Sequence, residues 1–361
     1  MRRTAVVLAV AIAWACRTPA RFAPIPDDGT FAHAAPAADA LARYRLAAEY
    51  SRTHGGVALV VIDGERLVFE DDENGHRGDD PHHVYSGTKG FACALVAAAE
   101  ADGRVEPDEP AATTLTEWRE DPRKSRITVR QLLDGTSGLD QPYRPLTLDG
   151  LGRHQVVKDK PAAAVVVAAT ADPGATFRNG PAHLLALGAF LERRLGEDPV
   201  GYLDRRVLRP IGFRRSWWII DPAGHTLLPY GAWTTALEWA KYGVLLRDHG
   251  VWRGTRVLPA ADVDGCLHGS RVMPAYGFGL WLNVPVGPRA NARAIAAFRG
   301  GGPAGFLYPA GPPDLFAAAG DRDDRLYVVP SRGLVIARLG TGSREWRDAE
   351  FLARVLDGRT S

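Results

Sequence analysis

Val84-Tyr85-Ser86-Gly87-Thr88-Lys89-Gly90-Phe91-Ala92-Cys93-Ala94-Leu95-Val96 is the stretch on which the reading of this chain turns. Residues three apart lie on one face of a helix, so Lys89 can stand beside the Ser86 hydroxyl. A serine hydroxyl is a poor nucleophile until a base takes its proton, and an amine can be that base once desolvation lowers its pKa. Phe91, Ala92, Ala94, Leu95, Val96, Ala98 and Ala99 make the adjoining helix apolar nearly all round, which supplies that setting. Its N-terminus also offers N–H groups and a positive dipole end to a developing oxyanion. The chain has nine serines and five lysines, so about 0.1 matches to Ser-x-x-Lys are expected by chance. The bland alternative, a serine cap with a lysine in the first turn, is weakened because lysine opposes the helix dipole there.

Working outward, Val57 to Ile62, the turn Asp63-Gly64 and Leu67 to Glu70 spell a β-hairpin. Ala37 to Arg52 before it has Leu41, Tyr44, Leu46 and Tyr50 at near-helical spacing, closed by Gly55-Gly56. The middle of the chain is mostly helical. Thr128 and Gln131 form a capping box, Lys160 to Ala171 and Pro181 to Leu195 read as helices, Asp198-Pro199 opens another, and Thr235 with Glu238 repeats the box spacing. Leu315 to Ala319, Leu326 to Val329 and Leu334 to Leu339 are short apolar runs joined by turns, and Glu345 to Leu356 closes the chain as a helix. Hairpins at both ends with helices between them predict an α/β fold of the α+β type. One antiparallel sheet is built from the two termini and flanked by terminal helices, with a helical lobe inserted over roughly 85–270.

The segment Val84 to Phe91 resembles the active-site segment of serine β-lactamases, penicillin-binding proteins and class C-related esterases. Asp102-Gly103-Arg104-Val105 and Ile127 to Leu139 resemble the segment that this superfamily carries after its nucleophile helix. Pro173-Gly174-Ala175-Thr176-Phe177 resembles the lead-in to its second motif, and Leu326 to Leu339 its last two strands. The resemblance covers residues 40 to 355 and implies a β-lactamase-like fold. It also implies a serine hydrolase that forms an acyl-enzyme at Ser86 with Lys89 as base, without metal or organic cofactor.

Two motifs depart from the pattern. Asn179 stands where the superfamily has the tyrosine of Tyr-x-Asn, and Asn cannot act as a general acid or base near neutral pH. Either Lys89 works alone, Tyr143 or Tyr230 substitutes, or turnover is weak; a helix cap is the structural alternative for Asn179. The third motif aligns with Ala318-Ala319-Gly320, where Gly320 leaves room for substrate and the Asp321 N–H would join that of Ser86 in an oxyanion hole. Ala318 and Ala319 lack the cation and hydroxyl that hold a β-lactam carboxylate. Small esters, simple amides or peptide-like substrates therefore fit better than β-lactams. The alternatives are a non-catalytic or penicillin-sensing protein with a degenerate site, and a true β-lactamase or carboxypeptidase.

The remaining features bound the function. Of 361 residues 46% are hydrophobic, and the formal net charge of +2 gives no support for nucleic-acid binding. Arg2-Arg3, the apolar run Thr4 to Ala15 and Ala13-Trp14-Ala15 read as an export signal over 1–15, followed by a Pro- and Ala-rich tether over 16–35 and the hydrolase domain over 36–357. Cys16 comes directly after the cleavage pattern, so the protein is expected to be exported, either released to the periplasm or membrane-anchored as a lipoprotein through Cys16. Cys93 reads as a buried small hydrophobe rather than a disulfide partner. Asp79-Asp80-Pro81-His82-His83 lacks metal-ligand spacing and reads as a solvated loop. Ser137 reads as a turn residue near the site, and Trp217, Trp218, Trp233 and Trp239 as packing residues before an acyl pocket. Nothing in the sequence sets an oligomeric state.

Overall fold

The computed structural model describes residues 22–142, 146, 157–286 and 307–360; the signal, Cys16 and Tyr143 lie outside them. The elements run β1 (Ala32–His33), α1 (Ala38–Thr53), β2 (Gly56–Asp63), β3 (Arg66–Asp72), β4 (His82–His83), α2 (Phe91–Ala101), α3 (Val129–Leu133), α4 (Lys160–Val166), α5 (Ala182–Leu195), α6 (Pro199–Leu203), β5 (Trp217–Trp218), β6 (Ala232–Thr234), α7 (Ala236–Arg247), β7 (Val251–Trp252), β8 (Thr255–Arg256), α8 (Ala260–Gly265), β9 (Trp281–Leu282), β10 (Phe316–Ala319), β11 (Arg325–Val329), β12 (Leu334–Gly340) and α9 (Asp348–Leu352).

Among the described residues the main sheet has the order β1-β3-β2-β12-β11-β10-β9. The N-terminal hairpin meets the C-terminal strands where β2 pairs antiparallel with β12, Val61 opposite Ile336. Alternation divides the core. Leu59, Val61, Tyr327 and Ile336 face Tyr44 and Ala48 of α1 and Phe351 and Leu352 of α9. Val60, Ile62, Val335 and Ala337 face the inserted helices. Both faces are covered, which is why β2 is apolar without interruption from Val57 to Ile62. Helix α7 lies so close to this inner face that a Cβ on Gly243 would meet Val335 Cγ1 at 2.5 Å.

Local signals act much as expected. Thr128 and Gln131 form the reciprocal capping box, the Asp198 side chain accepts from Gly201 N–H, and α5 ends on Gly196 at φ 73°. The Thr235 hydroxyl takes the Glu238 N–H, while the Glu238 carboxylate turns to Arg214 and Lys241. Helix α4 is shorter than expected: β-branched Val165, Val166 and Val167 end it, and Ala169 bridges Leu139 instead.

Three expectations are corrected. The stretch 16–35 is not a loose tether throughout. Ile25 N–H donates to the Asp79 carbonyl, Lys241 Nζ sits 2.8 Å from Asp28 Oδ2, Phe31 is buried, and β1 pairs in parallel with β3. His82 and His83 are not in a solvated loop but in β4, paired with Thr234 and Trp233 of β6. Cys93 is buried and also disulfide-bonded, to Cys266 just after α8. No helix among the described residues is long and apolar enough to cross a membrane.

Candidate active site

Ser86 to Lys89 lie in a 3-10 turn, Tyr85–Gly90, that runs into α2 at Phe91, rather than in the α-helix itself. In a 3-10 turn side chains three apart eclipse, so the spacing brings the two groups together more directly than an α-helix would. Lys89 Nζ donates to Ser86 Oγ over 2.8 Å. Ser86 is partly exposed, whereas Lys89 is buried under the lobe. Burial lowers the Lys89 pKa to about 8, with the Asp321 carboxylate pulling the other way. Tyr85 adopts φ 44°, a strained conformation for a bulky residue, which turns the chain sharply before Ser86.

Strand β10 abuts this turn at both of its ends. A Cβ on Gly90 would meet Ala318 Cβ at 2.9 Å, and one on Gly320 would meet the Val84 carbonyl oxygen at 2.4 Å. Ala318 and Ala319 end β10, and Gly320 N–H donates to Asp324 O to close the turn holding Asp321. The residues expected as the third motif therefore end a strand packed against the turn that carries Ser86.

Asn179 is exposed and does not cap α5, whose first residue Ala182 instead donates its N–H to Gln141 Oε1. Lys89, Asn179, Gly180, His183 and Tyr276 line a crevice of about 10 Å³, room for one water. Tyr230, considered as a substitute for the tyrosine, donates its hydroxyl to the Leu146 carbonyl at 2.5 Å.

His183 is the site residue that sequence reasoning missed. Its Nε2 lies 2.8 Å from the Arg178 carbonyl, which can only accept, so Nε2 carries the proton and Nδ1 accepts from the Ser137 hydroxyl at 2.8 Å. Burial, with Lys89 nearby, lowers its pKa to about 4, keeping the ring neutral. Ser137 is thus more than a turn residue: it is buried and, through His183, pins the backbone next to Asn179. The one available signal was a histidine four residues beyond Asn179, inside an otherwise apolar helix start. Among the described residues no group of three His, Cys, Asp or Glu is placed to hold a metal ion.

Fold and site together define a serine hydrolase of the β-lactamase and penicillin-binding protein type. The chain belongs to the Beta-lactamase family, whose model matches residues 38–357. Solved structures share the fold. A candidate 6-aminohexanoate-dimer hydrolase of Bacillus anthracis has TM-score 0.69 and 18% identity, over 91% of this chain and 86% of that one. A penicillin-binding protein homologue of Caulobacter crescentus has TM-score 0.66 and 14% identity, over 90% and 97%. A D-stereospecific amidohydrolase of a Streptomyces species has TM-score 0.64 and 17% identity, over 90% and 100%. No curated protein matches the chain.

Proposed function

We propose that this protein hydrolyses small carboxylic esters or simple amides through an acyl-enzyme on Ser86. The observation that carries the reading is the 2.8 Å contact between a buried Lys89 amine and the partly exposed Ser86 hydroxyl. The neutral amine takes the hydroxyl proton, Oγ bonds to the substrate carbonyl carbon, and the carbonyl electron pair moves to its oxygen. Backbone N–H groups of Ser86 and Asp321 hold that oxyanion. On collapse the alkoxide or amine leaves with the proton from Lys89. Water then adds to the acyl carbon with Lys89 again as base, the bond from that carbon to Ser86 Oγ breaks, Oγ takes the proton back from Lys89, and the acid departs. Lys89 carries the proton in both directions, because Asn179 cannot and neutral His183 is engaged at both nitrogens.

The alanines at 318 and 319 disfavour substrates that need a carboxylate anchor, which separates this reading from β-lactam hydrolysis. Export is part of the proposal and is supported by the Cys93–Cys266 disulfide, a bond that persists in oxidising compartments. Lipid attachment at Cys16 would be read by mass spectrometry of the membrane fraction. The function is tested with p-nitrophenyl butyrate and the signal-free protein beside Ser86→Ala. Turnover lost in the variant supports the mechanism, and turnover that survives overturns it. A stable acyl adduct at Ser86 without release would identify a sensor instead.

A further inference from the structure

The four tryptophans read from the sequence as packing residues divide into two pairs. Trp218 and Trp239 are buried, whereas Trp217 and Trp233 are partly exposed. Trp233 lies face to face with His83, with ring centroids 5.2 Å apart and planes 6° apart. The register of β4 and β6 sets these two residues directly opposite each other. His83 lies in turn against Tyr85 at 4.0 Å. At the other end Trp217 is 6.0 Å from Trp233, and Phe22 of the N-terminal segment rests on both rings, at 5.4 and 4.7 Å. A continuous row of partly exposed rings therefore runs from the residue preceding Ser86 out to the N-terminal segment.

Acyl transfer at Ser86 uses none of these rings, and Trp217 and Trp233 pack against the core while leaving part of each ring exposed. The His83 imidazole, set between Trp233 and Tyr85, is held in the row by its Nε2–H, which donates to the Tyr230 carbonyl at 2.5 Å, and burial lowers its pKa, favouring the uncharged ring. At the Ser86 end the guanidinium of Arg322, on the same turn as Asp321, lies 5.4 Å over the Tyr85 ring. The strand beside Ser86 ends in Ala318 and Ala319, so binding energy that an ionic anchor would supply must come from another surface.

We propose that Tyr85, His83, Trp233 and Trp217 form a specificity subsite for an aromatic or flat apolar group of the substrate, with Phe22 occupying its outer end as an intramolecular stand-in. The proposal rests on the reading of Ser86 as nucleophile. A planar group laid across the exposed edges of the row gains apolar burial and edge-to-face ring contact while its carbonyl reaches Ser86. Removal of Phe22 frees the outer end for a longer ligand.

Binding measured on Ser86→Ala protein separates this subsite from the chemistry, because that variant cannot be acylated. With 2-naphthyl acetate as probe and tryptophan fluorescence or calorimetry as readout, adding Trp233→Ala should weaken binding about tenfold. Trp233→Phe should restore most of it, and Phe22→Ala should tighten it severalfold. Ethyl acetate, which has no ring, should show no such dependence. Naphthyl binding indifferent to Trp233→Ala, or Trp233→Phe as damaging as Trp233→Ala, would overturn the subsite. Ring-dependent binding without turnover in the Ser86 protein would keep the subsite and overturn the hydrolase reading alone.

Discussion

Gly320 approaches Val84 so closely that a methyl group on residue 320 would come within 2.4 Å of the Val84 carbonyl oxygen. The methyl would meet backbone, so no rotamer change relieves the clash. The contact fixes how near the end of β10 stands to the turn that carries Ser86. Gly320→Ala should therefore push strand and turn apart, lowering stability by about 1–3 kcal/mol. Ester turnover should fall on the order of a hundredfold, as expected when reacting groups move by about 1 Å. Denaturant melts and kcat/KM on p-nitrophenyl butyrate check both; an unchanged kcat/KM would show that the strand does not set the site.

The lowered Lys89 pKa gives turnover a pH dependence of known sign. The base is the neutral amine, so kcat/KM should rise tenfold per pH unit at low pH and level off near pH 8. Asp321 raises the Lys89 pKa, so Asp321→Asn should move that limb to lower pH while leaving its backbone N–H in place. Stability depends on the same shift: the folded pKa is below the unfolded one, so the unfolded chain binds more protons between about 8 and 10.5. The contribution of Lys89 should therefore become less unfavourable as pH rises through that window, measured as the difference in stability from Lys89→Met.

The disulfide joins α2, which continues the nucleophile turn, to a segment that packs against it. Cys266 O accepts from Phe278 N–H at 2.9 Å, and Gly279 is so close to Lys89 that a Cβ there would lie 2.1 Å from the Lys89 carbonyl oxygen. The bridge closes a span of 173 residues, for which the chain-entropy description gives about 5 kcal/mol and engineered cases usually deliver less. Reduction, or Cys93→Ala with Cys266→Ala, should lower Tm, and activity should decline at temperatures where the oxidised protein is stable. Equal melting curves with and without reductant would count against this role.

His183 should act by position rather than by carrying a proton. Glutamine keeps a donor for the Arg178 carbonyl and an acceptor for the Ser137 hydroxyl, so His183→Gln should retain most turnover and the same rising limb that levels off near pH 8. His183→Phe leaves the buried Ser137 hydroxyl without its acceptor, at about 1–3 kcal/mol, and the Arg178 carbonyl without its donor, and should lose turnover more than tenfold. If Gln is as damaging as Phe while stability is kept, His183 carries a proton.

Much of the fold is legible in the residues themselves because its signals are local. The strictly buried run Val57 to Ile62, the Asp63-Gly64 turn, the Thr128–Gln131 box and the Ser86–Lys89 spacing are each set by interactions within a few residues. Those interactions hold wherever the segment lies, so strands, caps and the nucleophile turn can be read from sequence, and the order of those elements along the chain, strands at both ends with helices between, implies the shared sheet. Contacts between distant segments cannot be read in this way. The pairing of Cys93 with Cys266, the placing of His82 and His83 in a strand, the docking of residues 25–33, the hold of Ser137 on His183, and the separation of Trp217 and Trp233 from their buried neighbours all depend on which surfaces meet. The same is true of the chemistry: Ser-x-x-Lys places an amine beside a hydroxyl, but only burial by the folded lobe brings that amine's pKa down to about 8, because desolvation is a property of the whole surroundings and not of the four residues.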